Sequence, residues 1–214
     1  MLDAWILTSP DRPSRAEDIY RPVLDLLTIK MRLTLIEVRG PDPLDWYMRA
    51  VRHSGFASRI LDINGLFSDC RLGDFKDRAY MEQSVIPRLV EVVARQQPVS
   101  ELVKTRLLGV SLGYDRLLLP QKNTDGSQWV LSSSYAQFML GQPDTRETMD
   151  TADEAIVQLL IEGSTAKEAA ILLGLSHRTV EHRLDKMKQR YGARNTVHLV
   201  AMFIASHIDR SALR

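Results

Sequence analysis

Residues 162–195 read EGSTAKEAAILLGLSHRTVEHRLDKMKQRYGARN, and this stretch decides the fold of the C-terminal part of the chain. Three predicted helices end at glycines in this stretch, namely at Gly163, Gly174 and Gly192. Glycine is favoured there because the residue that closes a helix commonly adopts a left-handed conformation. Thr165 and Ser176 follow the first two glycines, and their hydroxyls can cap the next helices. The pattern predicts a helix, a turn, a capped helix, a second turn and another capped helix.

Apolar residues recur at helical spacing between these turns. Asp150 can cap a helix that ends at Gly163, and Asn195 can cap one that follows Gly192 over about Thr196–Ser206. The predicted inward positions are Ile156, Val157, Leu159 and Leu160 on the first helix, Ala169, Ala170 and Leu173 on the second, and Val180, Leu184 and Met187 on the third. The sequence therefore predicts an all-α domain of four helices over residues 150–210.

Positive charge is concentrated in one short segment of the chain. The whole chain has 28 Lys and Arg against 27 Asp and Glu, a net charge of +1. Residues 176–198, in contrast, contain six Lys and Arg and two acidic residues. A basic helix that follows a glycine turn is typical of proteins that place that helix in the DNA major groove. We therefore predict double-stranded DNA as a partner, bound with strongly salt-dependent affinity.

The C-terminal segment resembles the LuxR/NarL-type helix-turn-helix family over nearly its entire length. The resemblance is carried by Gly163, Thr165, Lys167-Glu168, Ala169-Ala170, Leu173-Gly174-Leu175-Ser176, Thr179-Val180 and Tyr191-Gly192-Ala193-Arg194-Asn195. It implies that the third helix enters the major groove and that the fourth often builds a dimer surface. The chain departs from the family at Thr151, where Pro is frequent, at Arg183, where His is common, and at Asp185, an acid beside the expected DNA backbone track.

The resemblance and the outward positions of the third helix give the candidate DNA-binding residues. The family's phosphate-contact positions correspond to Thr165, Lys167, Ser176, Thr179 and Lys186. Base reading would fall on Arg178, Glu181 and His182, with Asp185 beside them. His177 and Arg183 complete the outward side of the helix and its flanks.

The N-terminal part of the chain mixes strand and helix signals. The predicted elements are a helix over Arg15–Leu27 interrupted at Pro22, a strand over Arg32–Val38, a short helix opened by Asp42-Pro43, a strand near Phe56–Ile60, a helix over Arg78–Gln96, and strands over Val99–Leu108, Leu112–Leu119 and Gln128–Tyr135. Gly109 and Gly113 bracket one turn, and Asp125-Gly126 favours a tight hairpin at the next. This order predicts an α+β domain with one antiparallel sheet, preceded by an extension over residues 1–30 and a loop within residues 1–15. The polar segment Gly141–Met149 is the predicted linker.

Residues 31–140 resemble a PAS-type domain of a divergent group that is common in alphaproteobacterial proteins. The resemblance is carried by Gly65-Leu66, Leu72-x-Asp74-Phe75, Asp77-Arg78-Ala79-Tyr80, Arg95, Pro98-Val99 and Tyr114-x-Arg116-Leu117-Leu118-Leu119-Pro120. It implies a five-stranded antiparallel sheet whose short helices enclose a pocket, and a role in sensing or dimerisation. The cofactor stays unknown. Cys70-Arg71 is similar to a flavin-adduct motif but lacks the accompanying Asn and Gln, and Arg78–Gln96 has no His for haem.

Other patterns argue against an enzyme, a metal site and a membrane protein. Ser164-x-x-Lys167 lacks the companion motifs of penicillin-recognising enzymes, and the chain has no glycine-rich phosphate loop. Cys70 is the only cysteine, which excludes an internal disulfide and a thiolate-rich metal site and fits a reducing cytosol. No apolar run approaches about 18 residues. The N-terminus has no basic region ahead of an apolar run, so we expect a cytoplasmic protein without a signal peptide.

These patterns together predict a two-domain transcription regulator that is not an enzyme. We expect a homodimer, because one helix-turn-helix reads too few base pairs for useful specificity. The PAS-like domain would sense a small molecule or a protein partner, or would mediate dimerisation. The alternative is an interaction protein that sequesters another regulator with weak or no specific DNA binding, and the acidic Glu181 and Asp185 favour it. A receptor for acyl-homoserine lactones is supported only by the C-terminal resemblance.

Overall fold

The computed structural model describes residues 1–56, 58–141 and 149–211, with side chains up to residue 205. The chain divides into two compact units, Met1–Met139 and Leu140–Arg214, called here the sheet unit and the helical unit. Of the predicted linker Gly141–Met149, only the first and last residues lie within the described ranges. Within those ranges, none of the helices has the length and apolar character needed to span a membrane.

The sheet unit is built on a six-stranded antiparallel sheet with the strand order β3-β2-β1-β6-β5-β4. The strands are β1 Met31–Glu37, β2 Tyr47–Arg52, β3 Cys70–Arg71, β4 Val99–Leu107, β5 Val110–Pro120 and β6 Trp129–Gly141. The pairing of β1 with β6 places Arg32 opposite Ser134 and Thr34 opposite Ser132. The PAS resemblance implied five strands, and the additional strand is the two-residue β3 at the sheet edge.

Short helices cover this sheet, which confirms the predicted mixed α+β architecture. They are α1 Leu2–Ile6, α2 Ala16–Tyr20, α3 Ile63–Leu66, α4 Arg78–Tyr80 and α5 Ile86–Arg95, with 3-10 turns at Arg21–Leu26, Pro43–Asp45 and Leu72–Asp74 and a π turn at Met81–Val85. The predicted opening of a short helix by Asp42 is confirmed, because its carboxylate accepts the Leu44 N–H at 2.9 Å.

Strand β1 is buried on both of its faces. Successive residues of a strand point to opposite sides. Leu33 and Leu35 therefore join a cluster with Trp5 and Ile19 of α1 and α2, whereas Ile36 joins the larger core on the other side. Two layers of helices thus account for the continuous buried run in β1.

The sequence predicted a loop within residues 1–15, but it did not reveal the helix that precedes this loop. This helix is α1, and its Trp5 side chain is buried. The Trp5 indole N–H donates to the Pro120 carbonyl at 2.5 Å, and Lys122 Nζ lies 4.1 Å from the centre of the Trp5 ring. The composition of the segment did not reveal this helix, because its docking depends on residues more than a hundred positions away.

One further prediction for the sheet unit was wrong in position, and another was right in its span but missed an interruption. The second strand is Tyr47–Arg52, and the described residues of Phe56–Ile60 form no strand. The long helix predicted over Arg78–Gln96 is divided into α4, the π turn and α5. The division lies next to Pro87, which lacks an N–H and whose ring collides with the carbonyl four residues earlier in a regular helix.

Strands β4 and β5 are joined by the two-residue turn Leu108-Gly109. Both residues have positive φ, 50° and 78°, as the turn type that matches strand twist requires. Gly113, predicted to bracket this turn, lies inside β5 instead. A Cβ atom at Gly113 would lie 2.3 Å from the Phe138 ring, so the glycine makes room for an aromatic side chain on the neighbouring strand.

The helical unit contains α6 Thr151–Ile161, α7 Ala166–Leu172, α8 His177–Arg190 and α9 Thr196–Ser211. Asp150, Thr165 and Ser176 cap α6, α7 and α8 as predicted, because each side chain accepts a backbone N–H from the third residue of its helix. Helix α9 extends five residues beyond the predicted end at Ser206.

The three turns of the helical unit share one geometry. Gly163, Gly174 and Gly192 have φ of 95°, 67° and 66°. After each glycine, the next residue donates its N–H to the carbonyl five positions earlier, at 2.8–2.9 Å. This pattern ends a helix and satisfies its last carbonyls. Local signals therefore fix where α6, α7 and α8 end, and a shared apolar core packs them together.

Candidate nucleic-acid interface and cavity

Helix α8 presents one face to the core of the helical unit and the opposite face to solvent. Val180, Leu184 and Met187 form the buried face. Because a helix repeats every 3.6 residues, Arg178 and His182 lie on the side opposite this buried stripe, and both are exposed. The packing of α8 therefore determines which of its polar residues can reach a partner.

Three residues that are predicted to contact phosphates also form hydrogen bonds in the first turns of α7 and α8. Ser176 Oγ accepts the Thr179 N–H at 3.0 Å and lies 2.7 Å from Thr179 Oγ1. Thr165 Oγ1 accepts the Glu168 N–H at 3.2 Å, while the Glu168 carboxylate accepts the Thr165 N–H at 2.7 Å. The latter bond lowers the pKa of Glu168. All three hydroxyl residues are exposed, so their capping role is compatible with contact to a phosphate.

Both acidic residues of α8 lie close to a basic side chain on the same helix. Asp185 Oδ1 is 2.7 Å from Lys188 Nζ, and Glu181 Oε1 is 3.7 Å from His177 Nε2. The hydrogen bond from Lys188 lowers the pKa of Asp185, so this carboxylate is ionised and its charge is offset locally. The expected repulsion between Asp185 and a DNA phosphate is thereby reduced.

Three basic residues of the predicted site are exposed and unpaired. Arg178 and Lys186 on α8, and Lys167 on α7, have no acidic side chain within ion-pair distance among the described residues. The structure brings Arg178 and Lys186 onto one helix. This helix surface carries positive charge that no internal pair neutralises.

Arg183, a predicted DNA contact, forms hydrogen bonds to acidic side chains of the helical unit. Its Nη1 donates to Asp153 Oδ1 at 2.7 Å and to Asp150 Oδ2 at 2.9 Å. This contact joins α8 to the first turn of α6, and the hydrogen bond from Arg183 lowers the pKa of Asp150. The side chain is about two-thirds buried. The sequence did not indicate this role, because the partners lie 30 and 33 positions away.

The sheet unit contains a cavity of about 100 Å³. Its lining comes from β1, β2, β5 and β6 on one side and from α3, α4, the π turn and α5 on the other. Apolar side chains such as Phe56, Met81 and Leu112 form most of the lining. This is the kind of concave, mainly apolar space in which a protein can bind a small molecule.

A few polar groups also line the cavity. The hydroxyls of Tyr80 and Tyr114 are 2.8 Å apart, and burial raises the pKa of both, so both remain protonated. One hydroxyl donates to the other, which leaves the acceptor's own proton able to donate to a further group. Arg116 is held by Glu101, whose Oε1 is 2.6 Å from Arg116 Nη2, and by the Ser84 carbonyl at 2.8 Å from Nη1.

Cys70, the residue behind the weak flavin similarity, lies in β3 opposite Met48. It is not one of the described residues that line the cavity. Burial raises the pKa of the Cys70 thiol, which disfavours the reactive thiolate. Within the described residues, no group of three His, Cys, Asp or Glu side chains could hold a metal ion.

No protein-family model and no curated protein matches the chain. Three solved structures are distantly similar to it. A Vibrio cholerae VqmA dimer without target DNA, described as a LuxR-type receptor, is 18% identical over 60% of this chain and 61% of that chain, with a TM-score of 0.26. A phage VqmA–DPO complex is 17% identical over 64% of this chain and 69% of that chain, with a TM-score of 0.29. Escherichia coli SdiA is 14% identical over 96% of this chain and 94% of that chain, with a TM-score of 0.28. These likenesses are too distant to transfer any residue role.

Proposed function

We propose that the chain is a DNA-binding transcription regulator and that α8 is its recognition helix. The main support is the exposed face of α8, where Arg178 and Lys186 have no ion-pair partner among the described residues. An unpaired surface cation can bind a phosphate or a base without first breaking an internal pair. Asp185, which favoured the interaction-protein alternative, has its charge offset by Lys188.

The dimensions of α8 suit the major groove. This groove is about 12 Å wide and admits one α-helix. Arg178 and Lys186 are separated by eight residues, which is about 12 Å along a helix. Arg178, at the start of α8, is suited to a paired contact with guanine, while Glu181 can accept from the amino group of cytosine. Lys186 and Lys167 are suited to phosphates on either side of the groove.

We also propose that the protein acts as a homodimer with a PAS-like sensory sheet unit. Helix α9 exposes Val197, whose side chain is 79% accessible, and Ile204 seven positions later, which gives the helix apolar surface for pairing. The sheet unit supplies the cavity for a signal. A ligand would change DNA binding only if it binds one arrangement of the dimer more tightly than the other.

A pull-down of fragmented genomic DNA with the full chain tests this function at physiological salt. We compare the wild type with an Arg178→Ala/Lys186→Ala variant. The control is Arg49→Ala/Lys104→Ala, which removes the same two charges from exposed positions of the sheet unit. We expect discrete enriched sites for the wild type and the control, and loss of those sites in the α8 variant.

Diffuse enrichment that the α8 variant hardly changes would overturn the proposal. The chain would then fit the interaction-protein alternative, in which the helical unit sequesters another regulator. Loss of the sites in both double variants would also count against a specific role for α8, because it would show that only total charge matters.

A further inference from the structure

The cavity of the sheet unit contains an arginine, Arg32, whose guanidinium has no carboxylate of the described residues within ion-pair distance. Arg32 is only 6% exposed. Its Nη1 donates to Asn64 Oδ1 at 3.1 Å and lies 3.4 Å from His53 Nδ1, and its Nη2 donates to the Phe67 carbonyl. The Nε–H group is buried and has no acceptor among the described atoms. Among the described residues, the direct contacts of the guanidinium are therefore with dipoles and with an aromatic ring, that of Phe67 at 5.6 Å.

The cavity lining as a whole lacks negative charge. The described lining residues include Lys30, Arg32 and Arg116 but no Asp or Glu. Arg116 is neutralised from outside the lining by Glu101. For Arg32, no carboxylate of the described residues lies within ion-pair distance. Asp69 acts on Arg32 only from beyond that distance, so among the described residues this buried positive charge has no counter-ion in contact with it.

A buried guanidinium without a counter-ion is unfavourable. Burial lowers the pKa of Arg32, but arginine remains charged in proteins. Removing an ion from water is costly unless an opposite charge is close. An anion bound beside Arg32 would supply that charge, and it could accept the unused Nε–H bond.

We propose that the cavity binds a small organic carboxylate and that Arg32 holds its carboxylate group. The planar guanidinium fork matches the two oxygens of a carboxylate. Ser134 lies opposite Arg32 in the sheet register, and Thr34 and Ser132 form the next pair on the same face. All of these side chains line the cavity, so their hydroxyls provide further donors close to the arginine.

The remaining lining determines the rest of the ligand. It is mainly apolar, which favours an organic acid with an apolar body over inorganic phosphate. The volume is about 100 Å³, whereas an apolar cavity of about 150 Å³ holds one benzene molecule. The part of the ligand that the cavity holds is therefore smaller than a benzene ring, which favours a short chain. This inference rests on the proposed sensory role of the sheet unit and does not depend on DNA binding.

Titration calorimetry on the full chain tests the inference with matched pairs of probes. The carboxylates are butyrate, hexanoate and benzoate, and each is compared with its neutral amide and with inorganic phosphate. We expect at least one carboxylate to bind about tenfold or more tightly than its amide, because a bond to a charged group is stronger than a neutral one. Arg32→Gln should abolish this preference, and the exposed-site control Arg49→Gln should retain it.

The inference would be overturned if each of the three acids bound no more tightly than its own amide. It would also be overturned if phosphate bound more tightly than every acid. An unchanged preference in a folded Arg32→Gln protein would overturn the role of Arg32. The wild-type comparison needs no variant, so it decides the ligand class even if Arg32→Gln does not fold. The DNA pull-down separates the two proposals: intact DNA sites without a carboxylate preference reject only the ligand, and the reverse result rejects only the DNA function.

Discussion

The helical unit keeps its unpaired positive charge on the surface, whereas the sheet unit buries one in its interior. Arg178 of α8 is exposed, but Arg32 of β1 is 6% exposed and lines a cavity. A surface charge is screened by salt and acts on large polyanions, while a buried charge is screened much less. The difference is consistent with the two proposed ligands, an extended polyanion at the surface of the helical unit and a small anion inside the sheet unit.

The two units also differ in how their elements are held. Each helix of the α6–α8 series begins at a local cap and ends at a glycine turn. The sheet unit instead depends on contacts between distant residues, such as Trp5 with Pro120. Its three tryptophans, Trp5, Trp46 and Trp129, are all the tryptophans of the chain. Tryptophan fluorescence therefore reports the sheet unit alone, which allows the stability of each unit to be followed separately.

The largest effect is expected from a truncation in the core of the helical unit. Leu184→Ala removes a side chain that is 4% exposed. Such cavity-forming changes cost about 2–5 kcal/mol of unfolding free energy. Leu172→Ala is the matched control, because Leu172 is 65% exposed and surface changes typically stay within about 0.5 kcal/mol. Helical circular dichroism should show the loss while the tryptophan transition stays unchanged, and a shift of both transitions would contradict the separation of the units.

A smaller effect is expected in the sheet unit from Gly113→Ala. The added Cβ would lie 2.3 Å from the Phe138 ring, so the ring must move. Overpacking of this kind costs about 1–3 kcal/mol. Gly141→Ala, at the end of β6, is the control, since no atom of the described residues lies within 4 Å of its added Cβ. The tryptophan transition in urea should move to lower concentration only for Gly113→Ala, and equal behaviour of the two variants would show that Phe138 does not constrain the strand.

Gly113 also illustrates which features the sequence could predict. Its position near Gly109 suggested a turn, but its role depends on Phe138, which lies 25 positions later and on another strand. The same limit applies to α1 and to β2, which are defined by partners across the sheet. The caps at Asp150, Thr165 and Ser176 were predictable, because each needs only the next three residues.

The candidate sites follow the same rule. The outward face of α8 could be predicted from helical spacing, because Val180, Leu184 and Met187 define the inward side. The environment of Arg32 could not be predicted, since its partners come from a segment more than 20 positions away. In the sequence pattern, Arg32 was only a polar residue at the start of a predicted strand. That no carboxylate of the described residues lies within ion-pair distance of Arg32 becomes visible only in the folded unit.

A modest effect on DNA binding is expected from removing one phosphate contact. Lys186→Ala should reduce the slope of log affinity against log salt by about 0.9, the contribution of one neutralised phosphate. Lys104→Ala removes the same charge from the exposed face of β4 and should leave the slope unchanged. Fluorescence anisotropy with a labelled duplex over a salt series measures both. Equal slopes for wild type and Lys186→Ala would place Lys186 away from the phosphates.

The smallest effect is expected from Arg183→Gln, and it distinguishes a structural arginine from a DNA-binding one. The variant loses the bonds to Asp150 and Asp153, so the helical unit should unfold at slightly lower temperature with little change in the salt slope. The pKa of Asp150 is lowered by Arg183, so this stabilisation is complete above the unfolded pKa of about 3.9 and is lost as the pH falls through the folded value. The difference in melting temperature between wild type and variant should therefore stay constant from about pH 6 to about pH 4 and shrink as the pH falls further. A constant difference with a reduced salt slope would instead assign Arg183 to the DNA, as the sequence pattern first suggested.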